Sequence, residues 1–225
     1  DPWWVPAPPR GPEPPRPIRV ALTTDPARLG VDSSVADAVR RAGIALQRAG
    51  YAVEEVEPPD VEACAQLMWR MVMTEIRHTT EPTIRRLGDA GMNRALDVYL
   101  AAAPEVDLTG YIKDLAQRRK HLRDWLQFFE RYPLVVGPVS NEPPLPVGFD
   151  TNASADGEQL RRIQRLLITV NLLGLPAAVV PTGLVNGIPL GVQIIGSRYR
   201  EDLCLDAAEA IEVQCGLDTP IDPQW

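Results

Sequence analysis

The apolar residues of this chain form their clearest pattern near the C-terminus. Two short runs, Ala177 to Val180 and Leu190 to Ile195, are rich in β-branched residues and bounded by proline and glycine. Runs of this kind are typical of strands that are buried on both faces. Asn186 and Gly187 lie between the runs, and both residue types tolerate the positive φ angles of a tight turn. The pattern therefore predicts two strands joined at Asn186-Gly187.

The first part of the chain alternates strand and helix patterns. Ile18 to Thr23 and Tyr51 to Val56 are predicted as strands. The helix between them is predicted to open at Asp32-Ser33-Ser34, with Ser34 and Asp37 in the spacing of a capping box, and to stop at Gly50. Its predicted buried stripe consists of Val35, Val39, Ala42, Leu46 and Ala49. Strand, helix and strand in this order predict a right-handed crossover in a layered α/β protein.

Helical periodicity dominates the middle of the chain. A helix is predicted from about residue 61, with its apolar stripe at Val61, Ala65, Met68, Val72 and Ile76. Further helices are predicted over residues 94–103 and 112–129. Because these helices lie between predicted strands, we interpret residues 60–130, approximately, as a helical insertion.

The rest of the chain returns to sheet and helix patterns. We predict a strand over residues 133–137 and a proline-rich loop over 138–149. A helix with its stripe at Leu160, Ile163, Leu167 and Val170 follows, and a last helix covers residues 201–215. The predicted domain therefore spans residues 18–225. Residues 1–17 are rich in proline, so we expect an extended arm, anchored by Trp3 and Trp4.

Composition narrows the classes of function. The 225 residues are 45% hydrophobic, which is ample for a core, and carry a formal net charge of −7. A nucleic-acid-binding protein needs a basic face, so the acidic balance argues against that class. No apolar run reaches the roughly 18 residues of a membrane span, and no signal-peptide pattern opens the chain. We expect a cytoplasmic protein with neither nucleic-acid nor membrane partners.

The stretch from Thr169 to Gly196 also carries a spaced motif. It runs from Asn-x-x-Gly-x-Pro into a Pro-x-Gly loop and then Gly-x-Pro-x-Gly-x-Gln-x-x-Gly. This pattern resembles the C-terminal hallmark of the amidase signature family, with matches at Asn171, Gly174, Pro176, Pro181, Gly183, Gly187, Pro189, Gly191, Gln193 and Gly196. The resemblance covers about residues 132–215. It implies a layered α/β/α fold with a mixed central sheet, of which this chain holds an incomplete part.

The resemblance also implies a catalytic apparatus. Amidase signature enzymes hydrolyse amides with a Ser-Ser-Lys triad, whose nucleophile is presented by a glycine-rich loop. The serine pair Ser33-Ser34 has no flanking glycines, so a helix cap is the better interpretation. Lys113 and Lys120 lie among charged residues of an amphipathic helix, where we expect solvated ammonium groups. No residue of this chain is therefore assigned a catalytic role.

Other reactive groups are sparse. Glu75 and His78 have the Glu-x-x-His spacing of di-iron bundles, but the second copy that such a site needs is absent from the sequence. We therefore predict no metal site, and the family resemblance implies no organic cofactor. Cys64, Cys204 and Cys215 are too few and too scattered for a disulfide framework, so free thiols are expected.

The family resemblance further implies a substrate-binding wall. In amidase signature proteins, the helix that corresponds to the one predicted here from residue 61 borders the acyl side of the pocket. The loop at residues 137–144 resembles another border of the same pocket. We therefore predict Met68, Trp69, Val72 and Asn141 as substrate-binding residues. Met and Trp suit an apolar pocket that adapts its shape. The helix stripe has a second interpretation as plain core, and the spacing leaves both open.

The favoured hypothesis is the C-terminal half of an amidase-type hydrolase, which supplies sheet strands and a pocket wall. We expect it to be inactive alone and to act on a small-molecule amide together with an N-terminal half that carries the triad. The start at Asp1, without Met, suggests a processed or cut product. Self-association into a homo-oligomer is left open. The alternative is a non-catalytic interaction subunit or pseudoenzyme remnant, because the matched glycines and prolines would serve backbone geometry in either case.

Overall fold

A mixed sheet of five strands, in the order β2-β1-β3-β5-β4, organises the part of the chain that the structure describes. The structure is a computed structural model, and it describes residues 5–151 and 156–216. The strands are β1 (Arg19–Leu22), β2 (Ala52–Glu55), β3 (Leu134–Pro138), β4 (Ala177–Val185) and β5 (Ile188–Gly196). β1 runs parallel to β2 and β3, whereas β5 runs antiparallel to β3 and β4. The predicted mixed sheet is confirmed.

Helices cover both faces of this sheet. They are α1 (Ser33–Arg48), α2 (Val61–Thr79), α3 (Glu81–Leu87), α4 (Ala90–Ala101), α5 (Leu108–Arg131), α6 (Gly157–Ile163), α7 (Arg165–Leu173) and α8 (Glu201–Cys215). Alternate strand residues point to opposite faces. In β3, Leu134 and Val136 pack with α1 and α8, whereas Val135 packs with α2, α5 and α7. The predicted layered α/β/α fold is therefore confirmed.

The start of α1 differs from the predicted capping box. Asp32 is the N-cap, and its Oδ1 accepts hydrogen bonds from the Ser34 amide at 2.8 Å and from the Ser34 hydroxyl at 2.5 Å. Asp37, the predicted partner in the box, instead pairs with Arg40 at 2.7 Å. The helix opens at Asp32-Ser33-Ser34 as predicted, but the predicted capping box was wrong, because the Asp32 carboxylate and not the Ser34 side chain caps the helix.

Replacing Asp32 by alanine is expected to lower the free energy of unfolding by about 1 kcal/mol at neutral pH, because α1 loses its cap. The Ser34 hydroxyl and amide lower the pKa of Asp32 in the folded protein. This contribution is therefore present above the unfolded pKa of the carboxyl group and is lost as the pH falls through its folded pKa. Urea unfolding over a pH series measures it. Asp37→Ala is the matched control, and equal losses in both variants would contradict the cap.

The hairpin of β4 and β5 forms as predicted. Asn186 and Gly187 make the turn with φ angles of 52° and 78°. A bulge shifts the register between Pro181 and Gly183, within the matched motif. At Gly191, a Cβ atom would lie 2.8 Å from the Val180 carbonyl oxygen, so only glycine fits beside the partner strand. These motif residues therefore set the backbone geometry of the hairpin.

β4 lies at the edge of the sheet, and one of its faces is exposed. This exposure corrects the prediction that the Ala177 to Val180 run is buried on both faces. Val180 is buried in the layer of α1 and α8. Val179 points to the opposite face and is 62% exposed, and Leu184 is 69% exposed. No neighbouring strand pairs with the outer side of β4 within the described residues. The sheet therefore presents an apolar, unpaired edge.

The helix predicted from Leu160 to Val170 is two helices. α6 ends at Ile163, and α7 begins at Arg165 after Gln164, whose φ and ψ are −106° and 14°. The predicted stripe of α1 is buried except at Ala49. In α2 only Val61 and Ala65 of the predicted stripe are buried, whereas Met68, Val72 and Ile76 are half-buried. The other buried residues of α2 are Cys64, Leu67, Met71, Met73 and Thr74. The buried positions of α2 differ from the predicted stripe because α4, α5, α6 and α7 all pack against this helix.

The segment before β1 lies against α8. Its described residues, 5–17, form no helix or strand, and Arg10 pairs with Asp206 at 2.8 Å. The Gly11 amide donates to Asp202 at 3.1 Å. The predicted anchors, Trp3 and Trp4, lie outside the described residues. No helix between residues 5 and 216, leaving aside 152–155, combines the length and apolarity that crossing a membrane requires.

Candidate substrate pocket

An apolar cavity of about 620 Å³ lies between α2, α4 and the loop after β3. Its lining comes from Trp69, Met73, Ile76, Ile84, Met92, Leu96, Tyr99, the loop residues Leu145 to Asp150, Leu160 and Gln164. A concave site of this size with few polar groups is typical of small-molecule pockets. The cavity is therefore a candidate binding site on the described part of the chain.

Two aromatic side chains form one wall of this cavity. The rings of Trp69 and Tyr99 meet edge to face, with centroids 5.5 Å apart and an interplanar angle of 88°. The Tyr99 hydroxyl donates to Asp150 Oδ2 at 3.2 Å. Burial, together with the charge of Asp150 and its hydrogen bond, raises the pKa of Tyr99. Tyr99 is therefore a neutral, fixed phenol that orients the Trp69 indole against the cavity.

Trp69 also borders a second, smaller cavity of about 230 Å³, whose wall includes Arg161. Arg161 is 2% exposed and pairs with Glu62 at 2.6 Å and Glu158 at 2.5 Å. Burial opposes its charge, but the hydrogen bonds to Glu158 and Glu62 outweigh burial and raise the pKa of Arg161. Trp69 Nε1 and Arg161 Nη1 are buried donors without a hydrogen-bond partner in the described structure. Such donors suit an oxygen acceptor.

The structure places the four predicted substrate-binding residues in different surroundings. Trp69 lines the apolar cavity, whereas Met68 packs against the core cluster of α2, α5 and α7. Val72 is half-buried and lines neither cavity that Trp69 borders. Asn141 lines a third cavity, of about 790 Å³, beside Gly30 and Asp32. Of the four, Trp69 is therefore the residue whose position agrees with an apolar pocket wall.

Asn141 is fixed by hydrogen bonds to neighbouring segments of the chain. It is 2% exposed, and its backbone amide donates to the Ile163 carbonyl at 2.6 Å. With its side-chain oxygen turned toward Arg165, Asn141 Oδ1 accepts a hydrogen bond from Arg165 Nη2 at 2.9 Å, and Asn141 Nδ2 donates to the Ile163 carbonyl at 3.2 Å. The Asn141 carbonyl accepts from the Asp32 amide at 2.8 Å. Asn141 thus ties the loop after β3 to the start of α1 and the end of α6.

Arg165 is the centre of the same network. It is 1% exposed, and its guanidinium group contacts the Asp25 carboxylate at 2.6 Å. It also donates to the carbonyls of Pro26, of Gly30 at 2.8 Å and of Arg162 at 2.7 Å. Burial lowers the pKa of Arg165, and the charge of Asp25 opposes that shift. Arg165 therefore fixes the segment after β1 against α7.

Sequence reasoning missed several of these residues. Tyr99, Arg161 and Arg165 carry no motif, and arginine beside apolar residues is typical of a solvated helix face. The proline-rich loop does indicate the cavity in the sequence, because Leu145, Val147 and Phe149 make this connection unusually apolar. A loop of this kind indicates a docking surface or pocket border.

The candidate triad residues do not come together. Ser33 is exposed, and the Ser34 hydroxyl is bound to Asp32 at the cap of α1. Lys120 is exposed and donates to Asp124 at 2.7 Å, and Lys113 is exposed on α5. Within residues 5–151 and 156–216, neither lysine donates to a serine. Within the described residues, these serines and lysines therefore form no activated serine nucleophile.

Comparison with known proteins relates the whole described fold to one family. A family model described as Amidase matches residues 5–205. Over 224 residues the chain is 42% identical to an indoleacetamide hydrolase of Bradyrhizobium diazoefficiens, covering 96% of this chain and 42% of that protein. Over 222 residues it is 28% identical to a glutamyl-tRNA(Gln) amidotransferase subunit of Lacticaseibacillus casei, covering 88% and 45%. The chain thus spans less than half the length of these relatives.

Solved structures agree at the level of the fold. A glutamyl-tRNA(Gln) amidotransferase subunit of Thermotoga maritima superimposes with a TM-score of 0.66 at 24% identity, over 87% of this chain and 42% of that chain. Fatty acid amide hydrolase gives 0.73 at 17% identity, over 93% and 42%. A bacterial aryl acylamidase gives 0.69 at 20% identity, over 88% and 43%. With the family match over residues 5–205, the chain belongs to the Amidase family, whose members are the amidase signature enzymes.

Proposed function

We propose that this chain is the C-terminal half of an amide hydrolase, and that it supplies sheet strands and the wall of the acyl pocket. The observation that carries the proposal is the apolar cavity of about 620 Å³ with Trp69 and Tyr99 at its wall. The Ser-Ser-Lys triad would lie in an N-terminal half, and this chain would be inactive alone. The amide bond would be cleaved through an acyl-enzyme formed on that other half.

The proposed substrate is an arylacetamide, a primary amide joined through one methylene group to an aromatic ring. The cavity lining supports this class, because an aromatic ring packs well on the edge and face of Trp69 and on the methionines Met73 and Met92. The 42% identity to an indoleacetamide hydrolase supports an indole as the ring. Asp150 is held by Tyr99, so the cavity has few free polar groups to favour a charged acyl chain.

The proposed partner half would pair with the sheet at β4. This strand is nine residues long, lies at the edge of the sheet, and exposes Val179 and Leu184. A long apolar edge is a template for another strand. The opposite edge, β2, is four residues long and carries Glu54 and Glu55, so it is a weaker template. Pairing at β4 would place the triad half beside β4 and β5, where the family motif lies.

The test mixes this chain with the separately produced triad-bearing half of the Bradyrhizobium diazoefficiens indoleacetamide hydrolase. Neither half alone is expected to hydrolyse indole-3-acetamide, and ammonia release should appear on mixing and saturate with this chain. Val179→Lys should weaken the complementation more than about tenfold, because a lysine in an apolar contact must be desolvated. Ammonia release is measured by a coupled assay at several concentrations of this chain.

Leu205→Lys is the matched control, because Leu205 on α8 is exposed to the same 62% as Val179. It should complement as well as the wild type. If mixing restores turnover and both lysine variants behave alike, the β4 interface is wrong. If the halves form a stable complex that turns over no arylacetamide, the proposed activity is wrong.

A further inference from the structure

A cluster of two carboxylates and one imidazole lies where the start of α2 meets α5. None of its residues belongs to the family motif near the C-terminus. Asp60 precedes α2, whereas His121 and Asp124 are three residues apart on one side of α5. One donor atom from each of the three residues lies within 4.8 Å of the other two. The sequence could not predict this meeting, because 61 residues separate Asp60 from His121.

The imidazole at the centre of the cluster is buried and has no hydrogen-bond partner. His121 is 8% exposed, and its Nδ1 atom accepts and donates no hydrogen bond within the described residues. The nearest carboxylate oxygen, Asp60 Oδ2, lies 3.5 Å from Nδ1. A buried polar nitrogen without a partner is costly. His121 Nδ1 therefore faces a position where a ligand atom or ion would satisfy it.

One cation already balances part of the negative charge around this position. Lys120 Nζ lies 2.7 Å from Asp124 Oδ2 and 4.0 Å from Asp60 Oδ2. The Lys120 side chain is 61% exposed, so it can swing into solvent without disturbing the core. The two carboxylates therefore attract positive charge to the place that His121 faces, and the resident ammonium group is replaceable.

We propose that Asp60, His121 and Asp124 form a binding site for a first-row divalent metal ion, with Zn²⁺ as its representative. Imidazole nitrogen and carboxylate oxygen are ordinary ligands of Zn²⁺, and water completes a four-coordinate site. In a tetrahedral site, ligands at about 2.1 Å from the ion lie about 3.4 Å apart. The donor atoms, which lie within 4.8 Å of one another, would approach this spacing by rotation of the Asp60 and Asp124 side chains, which are 53% and 30% exposed.

The metal would join two elements that are already held side by side. Trp125 Nε1 on α5 donates to the Pro59 carbonyl at 2.8 Å, so the corner before Asp60 has a fixed position against α5. The bound ion would add a second link between the start of α2 and α5. Trp69 follows nine residues after Asp60 on the same helix, so the site would steady the helix that forms the pocket wall.

The test is calorimetric titration of the full chain with Zn²⁺ after removal of metal by a chelator, with Co²⁺ absorption as a second readout of ligand geometry. One saturable site per chain is expected. His121→Asn should weaken binding by at least about 100-fold, since even the loss of an outer hydrogen-bond partner costs about 10- to 100-fold. His78→Asn is the matched control, because His78 also lies near a carboxylate, at 3.6 Å from Glu105, but is exposed.

Two further variants separate a specific site from adventitious binding. Asp124→Asn removes a ligand from a half-exposed position, so it reports on the site even if His121→Asn unfolds. Lys120→Gln removes the competing ammonium group and should tighten Zn²⁺ binding by roughly tenfold, on Coulomb's law near a protein surface. Absence of saturable binding, equal binding by wild type and Asp124→Asn, or no tightening in Lys120→Gln would each overturn the proposal.

Discussion

Replacing Arg165 by methionine is expected to lower the free energy of unfolding by about 3–5 kcal/mol. The guanidinium group is 1% exposed and bridges the Asp25 carboxylate to three backbone carbonyls. Methionine fills most of the volume but leaves those acceptors without a donor, and breaking a buried pair from one side costs this much. Urea unfolding followed by circular dichroism measures the loss.

Arg162→Met is the matched control for this variant. Arg162 is exposed, neighbours Arg165 in space and makes one long hydrogen bond, of 3.3 Å, to the Leu29 carbonyl. Its replacement should cost less than about 0.5 kcal/mol, the usual range for a surface site. A loss in Arg165→Met as small as in the control would show that the network around Asn141 is not what fixes the segment after β1.

Replacing Trp69 by alanine in the complemented enzyme is expected to change discrimination between indole-3-acetamide and acetamide by about 1–3 kcal/mol in relative kcat/KM. The reason is that Trp69 forms the aromatic wall of the cavity together with Tyr99, so truncation enlarges the space around the acyl group. Steady-state kinetics with both amides measure the change.

Met68→Ala is the comparison, because Met68 lies next to Trp69 on α2 but packs against the core cluster. It should lower the melting temperature while the ranking of the amides stays as in the wild type. If Trp69 is a core residue, its variant should behave in the same way, with a stability loss of about 3–5 kcal/mol. An unchanged ranking in Trp69→Ala would therefore remove Trp69 from the pocket and leave the family membership untouched.

The periodic elements were the predictable part of this fold. The crossover from β1 to β2, the helices α2, α4 and α5 and the hairpin at Asn186-Gly187 follow from hydrophobic periodicity and turn chemistry, which are local. The edge position of β4 was not predictable. An apolar run indicates a buried strand but not the position of that strand in the sheet. The runs at Ala177 and Leu190 have the same apolar pattern, although β4 is an edge strand and β5 lies inside the sheet.

The site was harder to predict than the fold because its parts are remote in sequence. Trp69 was identified through family resemblance, and its role in substrate binding stays a prediction. Tyr99 and Asp150 reach the same cavity from another helix and a loop, and no spacing rule joins residues 30 to 80 positions apart. Arg161 and Arg165 were hidden for a different reason, since a buried arginine is explained by partners that the sequence does not display.

The central claim is that this chain supplies the pocket wall while another half performs the chemistry. Mass spectrometric mapping of a fluorophosphonate label on the complemented, amide-hydrolysing enzyme tests it most directly. We expect stoichiometric label on a serine of the triad half, loss of ammonia release in step with labelling, and no label on this chain. Stoichiometric label on Ser33 or Ser34, accompanied by loss of turnover, would contradict the claim.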